Sequence, residues 1–291
     1  LKPAAFSYHR PESIESALAL LGRYAAEARI IAGGQSLAPA LNMRLAQPAH
    51  LIDINDLDEL GLIRESDGHL EIGALARHRD IERSLLVRQR CPLLARCAQT
   101  IGHYAIRARG TIGGSLAQAD PAAQFVLASL ALDARLVLNR QGVSRELAVA
   151  DFITGPMSTC IAPDELLCTV LIPASDASER WAYEAFSRRQ GDYAIVAVAL
   201  TLNVAQGRIA RLRIAVSGAA ESVLRLHTIE TQVAGQPLDA DTPARIAALC
   251  VAGVEPVGSD DASPDYQRSL VRTLVERALR NALVDSVGGL H

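Results

Sequence analysis

The sequence predicts a chain of the α+β class in about two domains, and three observations carry that prediction. Its 291 residues are about twice the usual domain length. The front of the chain mixes short apolar strands, helices and glycine turns, whereas residues 181–217 hold strands only. A helical tail then closes the chain, so strands and helices are grouped rather than strictly alternating.

Each element has a local reason. Residues 11–27 predict an amphipathic helix, with Ser13 as N-cap and Ile14, Ala17, Leu18 and Leu21 on one stripe. A short strand at 29–32 runs into Gly33-Gly34, followed by a helix at 37–45 and a buried strand at 51–54. From Asp56 the texture changes: a strand at 70–73, helices at 77–86 and 93–100, and a basic connection at 102–110. Pro121 suits the first turn of a helix through Leu132, where a missing N–H costs nothing. Residues 135–139 and 145–149 flank a Gln141-Gly142 hairpin turn, and a strand at 166–172 stops at Pro173. Residues 174–178, small and polar after a proline, make the best linker. Strands at 181–186, 192–204 and 208–217 then form a three-stranded antiparallel meander, its last turn being Gln206-Gly207. Helices at 222–234, 243–251 and 265–284 complete the chain.

Composition narrows the function. Lys plus Arg is 29 and Asp plus Glu is 32, a net charge of −3 that gives no concentrated basic face for nucleic acid. No run approaches the ~20 apolar residues of a membrane span. The first residues lack a secretory cleavage pattern, so the expected setting is the cytoplasm. Cys91, Cys97, Cys160, Cys168 and Cys250 are odd in number and irregular in spacing, which predicts reduced thiols. No two form C-x-x-C, so a zinc ribbon or an iron–sulfur cluster on this chain is disfavoured, and any one-electron relay belongs on another polypeptide. His78 and His103 lack companions for a metal site.

Two glycine turns dominate the chemistry: Ala32-Gly33-Gly34-Gln35-Ser36, continuing to Leu37, and Thr111-Ile112-Gly113-Gly114-Ser115. Paired glycines before a small hydroxyl residue permit positive φ and expose backbone N–H groups, a geometry that cradles phosphate. A diphosphate has two groups to neutralise, so two such turns converging on one make physical sense. Each alone is equally an ordinary tight turn. Neither is G-x-G-x-x-G nor ends in G-K-[ST], which disfavours a Rossmann NAD site and a P-loop. Arg107 and Arg109, just before the second turn, either approach phosphate, hold the loop through carbonyls, or are simply solvated. Asp120 either caps the next helix or accepts from a ribose or a ring donor. Tyr193 is either a core-edge residue or a ring laid against a planar cofactor. No G-x-S-x-G and no nucleophile–base constellation is evident, so no catalytic acid, base or nucleophile is assigned.

In combination these segments resemble the FAD-binding medium subunit of molybdenum hydroxylases, the family of bacterial carbon monoxide dehydrogenase and xanthine dehydrogenase. The resemblance rests on Ala32 to Leu37, Asn42-Met43-Arg44-Leu45-Ala46, Leu51-Ile52-Asp53-Ile54, and Arg109 to Leu116 continuing to Ala119-Asp120-Pro121-Ala122. Gly155-Pro156, Pro163-Asp164-Glu165-Leu166-Leu167 and Arg188-Arg189-Gln190-Gly191-Asp192-Tyr193-Ala194 extend it to nearly the whole chain. The resemblance implies a two-lobed FAD-binding domain of the PCMH type over residues 1–175, with lobes at about 1–55 and 56–175. An α+β C-terminal flavoprotein domain over 178–285 follows. It implies that Ala32, Gly33, Gly34, Gln35, Ser36, Leu37, Thr111, Ile112, Gly113, Gly114 and Ser115 wrap the FAD diphosphate, with Asp120, Leu167 and Tyr193 near the flavin or its ribityl chain. It further implies a small subunit with [2Fe–2S] clusters and a large subunit with a molybdopterin cytosine dinucleotide-type cofactor, assembled as a dimer of heterotrimers, a heterohexamer. Electrons would pass from the clusters to this flavin and on to an external acceptor.

The chain departs from the family pattern at Ala108 (often Asn), Gln124 (often acidic) and Ala185 (often near a lysine). Two other readings of the same residues exist: a self-sufficient flavin oxidase or dehydrogenase of the same fold, and a scaffold that no longer binds FAD. The C-terminal part offers no polar constellation for the first, and the intact glycine pairs disfavour the second.

Overall fold

The computed structural model describes residues 2–175 and 178–284. Of the expected linker, Asp176 and Ala177 lie outside the described residues, as do Leu1 and the expected domain end at 285.

The first lobe is a three-stranded parallel sheet in the order Ser7–His9, His50–Asp53, Ala28–Ile31. Helix Ile14–Tyr24 starts at Ser13 through a capping box: the Ser13 hydroxyl accepts from the Ser16 N–H (3.2 Å) and the Ser16 hydroxyl from the Ser13 N–H (3.1 Å). Its stripe of Ala17, Leu18 and Leu21 is buried in one cluster with Ile52 and Ile54. Parallel strands leave their carboxyl ends at one edge, where the chain must turn away and ligands commonly bind. The first glycine turn sits there, directly after Ile31.

The second lobe is a five-stranded antiparallel sheet in the order Ile63–Ser66, His69–Gly73, Leu166–Pro173, Arg135–Arg140, Val143–Ala148. The hairpin at Gln141-Gly142 forms as expected. Helix Gln124–Ala131 is buried along its whole length, because it lies between this sheet and the C-terminal one. It begins three residues after Pro121, which stands instead in a turn closed by Asp120: the carboxylate accepts from the Ala122 N–H at 2.8 Å.

The C-terminal sheet has four strands, not three, in the order Arg180–Phe186, Val196–Ala205, Arg208–Ser217, Leu224–Arg225. The added strand is two residues long, too short for an alternating pattern to mark it. The central strand alternates by size. Val196, Val198, Leu200 and Leu202 pack with Leu270, Val271 and Leu274 of helix Pro264–Val284, while Ala197 and Ala199 pack in the same core as helix Gln124–Ala131. Small residues on one face let that helix approach closely.

An ion network joins the two domains. Asp133 receives Arg213 Nη1 (3.0 Å) and Arg225 Nη1 (2.6 Å), and these arginines also hold Glu179 and Glu230. Burial alone would raise the Asp133 pKa; the two guanidinium groups outweigh it and hold the carboxyl below its ordinary value. The cysteines are unbridged and all but Cys160 are buried. Among the described residues, no helix is long and apolar enough to cross a membrane, and no group of three potential metal ligands occurs.

Candidate functional site

The two glycine segments touch. A Cβ at Gly33 would lie 2.4 Å from the Arg109 carbonyl oxygen and 2.8 Å from Gly110 Cα, so only glycine fits where the first turn meets the chain entering the second. Gly34 adopts φ +72°, which turns the backbone away from the strand end. Through this turn the N–H groups of Gly33, Gly34, Gln35, Ser36 and Leu37 donate to no described residue, while its Gly33 and Gly34 carbonyls accept from Gln35 Nε2 (3.3 Å) and the Ala38 N–H (3.0 Å). Helix Leu37–Asn42 follows.

The second segment is built differently. It is the opening of helix Ile112–Gln118, N-capped by Thr111, whose hydroxyl accepts from the Gly114 N–H at 3.1 Å. The Ile112, Gly113 and Ser115 N–H groups donate to Ala76 O (3.1 Å), Ala74 O (2.9 Å) and Thr111 O (3.0 Å). A row of bare amides is therefore not found here, contrary to the sequence expectation. Gly113 is required by packing: its Cβ would fall 2.5 Å from Ala74 Cβ. What this segment turns outward is an exposed Gly114 and the Ser115 side chain, at the positive end of a helix.

Two residues that the sequence reading missed tie the segments together. Asn55, just past the central strand of the first lobe, donates through Nδ2 to the Ala32 carbonyl (2.8 Å) and to Asp53 Oδ1 (2.6 Å). Arg77 donates through Nη2 to Asn55 Oδ1 (2.7 Å) and through Nη1 to the Arg109 carbonyl (2.5 Å). Tyr8 donates to the other oxygen of Asp53. Burial would raise the Asp53 pKa, but the donors from Tyr8 and Asn55 overcome it and hold the carboxylate ionised. No motif marks this chain, since its members are single polar residues joined only by tertiary structure.

Of the two arginines singled out before the second turn, Arg107 holds the loop. It pairs with Glu82 (2.9 Å) and donates to the carbonyls of Ile101 (3.2 Å) and Gly102 (3.0 Å). Arg109 is exposed, and its contribution is the carbonyl that Arg77 grips. His78 is buried beneath Gly110, edge-on to Phe125 at 4.9 Å. Burial, with Arg107 and Arg77 nearby, lowers its pKa to about 4; the Thr111 backbone opposes this only in part, and neither ring nitrogen reaches a described partner in hydrogen-bonding geometry.

Tyr193 reaches the same neighbourhood from the C-terminal domain. It is 64% exposed, and its pKa is raised by burial of part of the ring and by the negative charge of Asp120. Its loop is seated on the first domain at Gly191, which has φ +89° and whose Cβ would lie 2.5 Å from the His103 ring. Leu167, by contrast, is 4% exposed, lies in the core and pairs with Leu138 in the sheet, so its side chain does not join the candidate site. Of the departures from the family pattern, Gln124 is buried facing the Tyr183 hydroxyl, and Ala185 lies in a strand opposite Ala197. Both belong to interdomain packing. Ala108 closes helix Tyr104–Arg107, its N–H donating to Tyr104 O at 2.8 Å. A cavity of about 330 Å³ lies elsewhere, lined by Leu138, Arg140, Val143, Arg145, Ala162 and Glu165, and none of the candidate residues borders it.

Two glycine segments brought into contact at Gly33, with a tyrosine loop of the second domain seated beside His103, are the candidate site of a flavin-binding oxidoreductase subunit. The chain belongs to the FAD-binding subunits of the molybdenum hydroxylases. The FAD binding domain in molybdopterin dehydrogenase matches residues 4–175, and the CO dehydrogenase flavoprotein C-terminal domain matches 181–282. The chain is 39% identical over 284 residues to the 6-hydroxypseudooxynicotine dehydrogenase complex subunit alpha of Paenarthrobacter nicotinovorans, covering 97% of this chain and 96% of that protein. It is 34% identical over 280 residues to the carbon monoxide dehydrogenase medium chain of Hydrogenophaga pseudoflava, covering 96% and 98%. The solved carbon monoxide dehydrogenase from Hydrogenophaga pseudoflava superimposes with a TM-score of 0.93 at 35% identity, covering 97% of this chain and 99% of that one. Quinoline 2-oxidoreductase from Pseudomonas putida 86 gives 0.93 at 33% identity, covering 99% and 100%.

Proposed function

We propose that this chain is the FAD-carrying electron-transfer subunit of a molybdenum-containing hydroxylase or dehydrogenase. It takes electrons from [2Fe–2S] clusters on a small subunit and passes them to an external acceptor. The molybdopterin cytosine dinucleotide-type cofactor and the substrate chemistry reside on a large subunit, in a cytoplasmic dimer of heterotrimers. The FAD-binding domain spans residues 1–175 and the C-terminal domain 178–285. The observation that carries this reading is the contact of Gly33 with Arg109 and Gly110, which brings two segments distant in sequence to one place.

The residues fit the cofactor. The amides from Gly33 to Leu37, which donate to no described residue, suit the anionic oxygens of a diphosphate. Ile112, Gly113 and Gly114 offer the start of a helix, with Thr111 fixing its first turn and Ser115 supplying a hydroxyl. Ala32 is held by Asn55 and so sets where the turn begins. Asp120 and Tyr193 border the site on the second-domain side, Tyr193 giving a ring for stacking and Asp120 an acceptor. When bound, FAD supplies the chemistry, accepting electrons singly and passing on pairs; the protein supplies binding and electrostatics. No proton transfer by a side chain of this chain is required.

The test is co-purification with the two partner subunits, followed by reduction with the complex's substrate. The oxidised flavin band near ~450 nm should bleach only when the iron–sulfur subunit is present. Turnover of a substrate by the isolated chain would favour a self-sufficient oxidase instead.

A further inference from the structure

Arg77 stands out among the arginines that structure this fold. Arg107, Arg213 and Arg225 are at least as enclosed, and each holds a carboxylate: Glu82, Asp133 with Glu179, and Asp133 with Glu230. Arg77 is half-buried and has no ion pair with any described acid. Its donors go to two neutral oxygens, Asn55 Oδ1 and the Arg109 carbonyl. Two acids lie close enough to favour its charge, Asp80 and, more weakly, Asp53, but neither is paired with it. Asp80 pairs with Arg79 at 3.4 Å, and Asp53 spends its oxygens on Tyr8 and Asn55. Arg109, also without an ion pair to a described residue, adds a second positive charge close to it. A guanidinium withdrawn from water and left without an anion is costly, and the cost is recovered when an anion arrives.

We propose that Arg77 is the counter-charge for the cofactor's diphosphate and the residue that sets the spacing of the two glycine segments. The proposal rests on the flavin reading above. Three features meet at one place: an uncompensated guanidinium, five amides without partners on residues 33–37, and the close contact at Gly33. The amides supply direction and Arg77 supplies charge. Because Arg77 also grips the Arg109 carbonyl, anion binding and closure of the site are coupled through one side chain. The chemical class recognised is a dianionic diphosphate, and riboflavin, which has no phosphate, gains nothing from this residue.

The experiment titrates FAD into the full chain after its flavin is removed, following flavin fluorescence, for the wild type, Arg77→Gln and Arg77→Lys. Each FAD-free chain is also melted. The glutamine variant should bind FAD about tenfold or more weakly, with affinity less sensitive to sodium chloride than that of the wild type. The lysine variant should recover most of the affinity and all of the salt sensitivity, since it keeps the charge and loses only the planar fork. Equal losses in both variants, or an unchanged glutamine variant, overturn the proposal and leave Arg77 a structural tie. Should the glutamine variant fail to fold, a tenfold loss in the lysine variant alone overturns it. A wild-type chain that takes up no FAD refutes the flavin reading itself, a result distinct from either.

Discussion

The two glycine segments look alike in sequence and differ in what they do. The first is a loop at the end of a parallel sheet, with one glycine at φ +72° and amides from 33 to 37 that find no partner in the chain. The second is the first turn of a helix, with every N–H from 112 to 115 already satisfied. The first segment therefore offers hydrogen-bond donors, and the second offers rigidity, a helix end and a hydroxyl. Glycine is needed in both, for different reasons. In the first it permits an approach of two backbones, and in the second it permits a helix to lie against Ala74.

That difference should break under mutation in a fixed order. Gly113→Ala drives a methyl to within 2.5 Å of Ala74 Cβ and 2.7 Å of its carbonyl oxygen, both in rigid structure. Overpacking of this kind costs about 3 kcal/mol or more, so denaturant unfolding should show a destabilised chain that loses flavin because it loses structure. The pH response comes next. His78, at about 4 when folded against about 6.5 when exposed, binds its proton first in the unfolded chain. Stability is therefore unaffected above pH ~6.5, falls as pH drops from there to ~4, and is lower by roughly 3 kcal/mol beyond that. Urea midpoints at stepped pH check this, and His78→Phe should flatten the slope in that window.

A change far from the candidate site sharpens the contrast. Asp133→Ala strands Arg213 and Arg225, which are each 7% exposed, although both keep a second carboxylate. Asp133 itself is half-exposed, so the expected loss is about 2 kcal/mol, below that of a fully buried pair. FAD affinity of the folded variant should be unchanged in the same fluorescence titration. The smallest effect belongs to Thr111→Val, which removes the cap on the Gly114 N–H and should cost about 1 kcal/mol by thermal melting.

Much of the fold was legible in the residues. The Ser13 cap and the Gln141-Gly142 and Gln206-Gly207 hairpins each dictate their element locally. The short edge strands Ser7–His9, Ile63–Ser66 and Leu224–Arg225 were not, because two to four residues carry too little period to detect. Within the candidate site the glycine pairs were visible, but the helical nature of the second was masked by the low helix propensity of Gly-Gly. Thr111 ahead of it was the available signal. Asn55 and Arg77 left none: their importance lies in contacts across 22 and 32 residues, which only the folded chain brings together.

The proposed shared FAD site is tested most directly by Gly33→Val, compared with the wild type for flavin content after co-purification with the proposed partner subunits. Its side chain strikes the Arg109 backbone rather than a movable side chain. The wild type should carry one FAD per chain, while the fraction of the variant that folds and assembles should carry essentially none. A folded variant that retains a full complement of FAD would contradict the claim that both segments enclose the same cofactor.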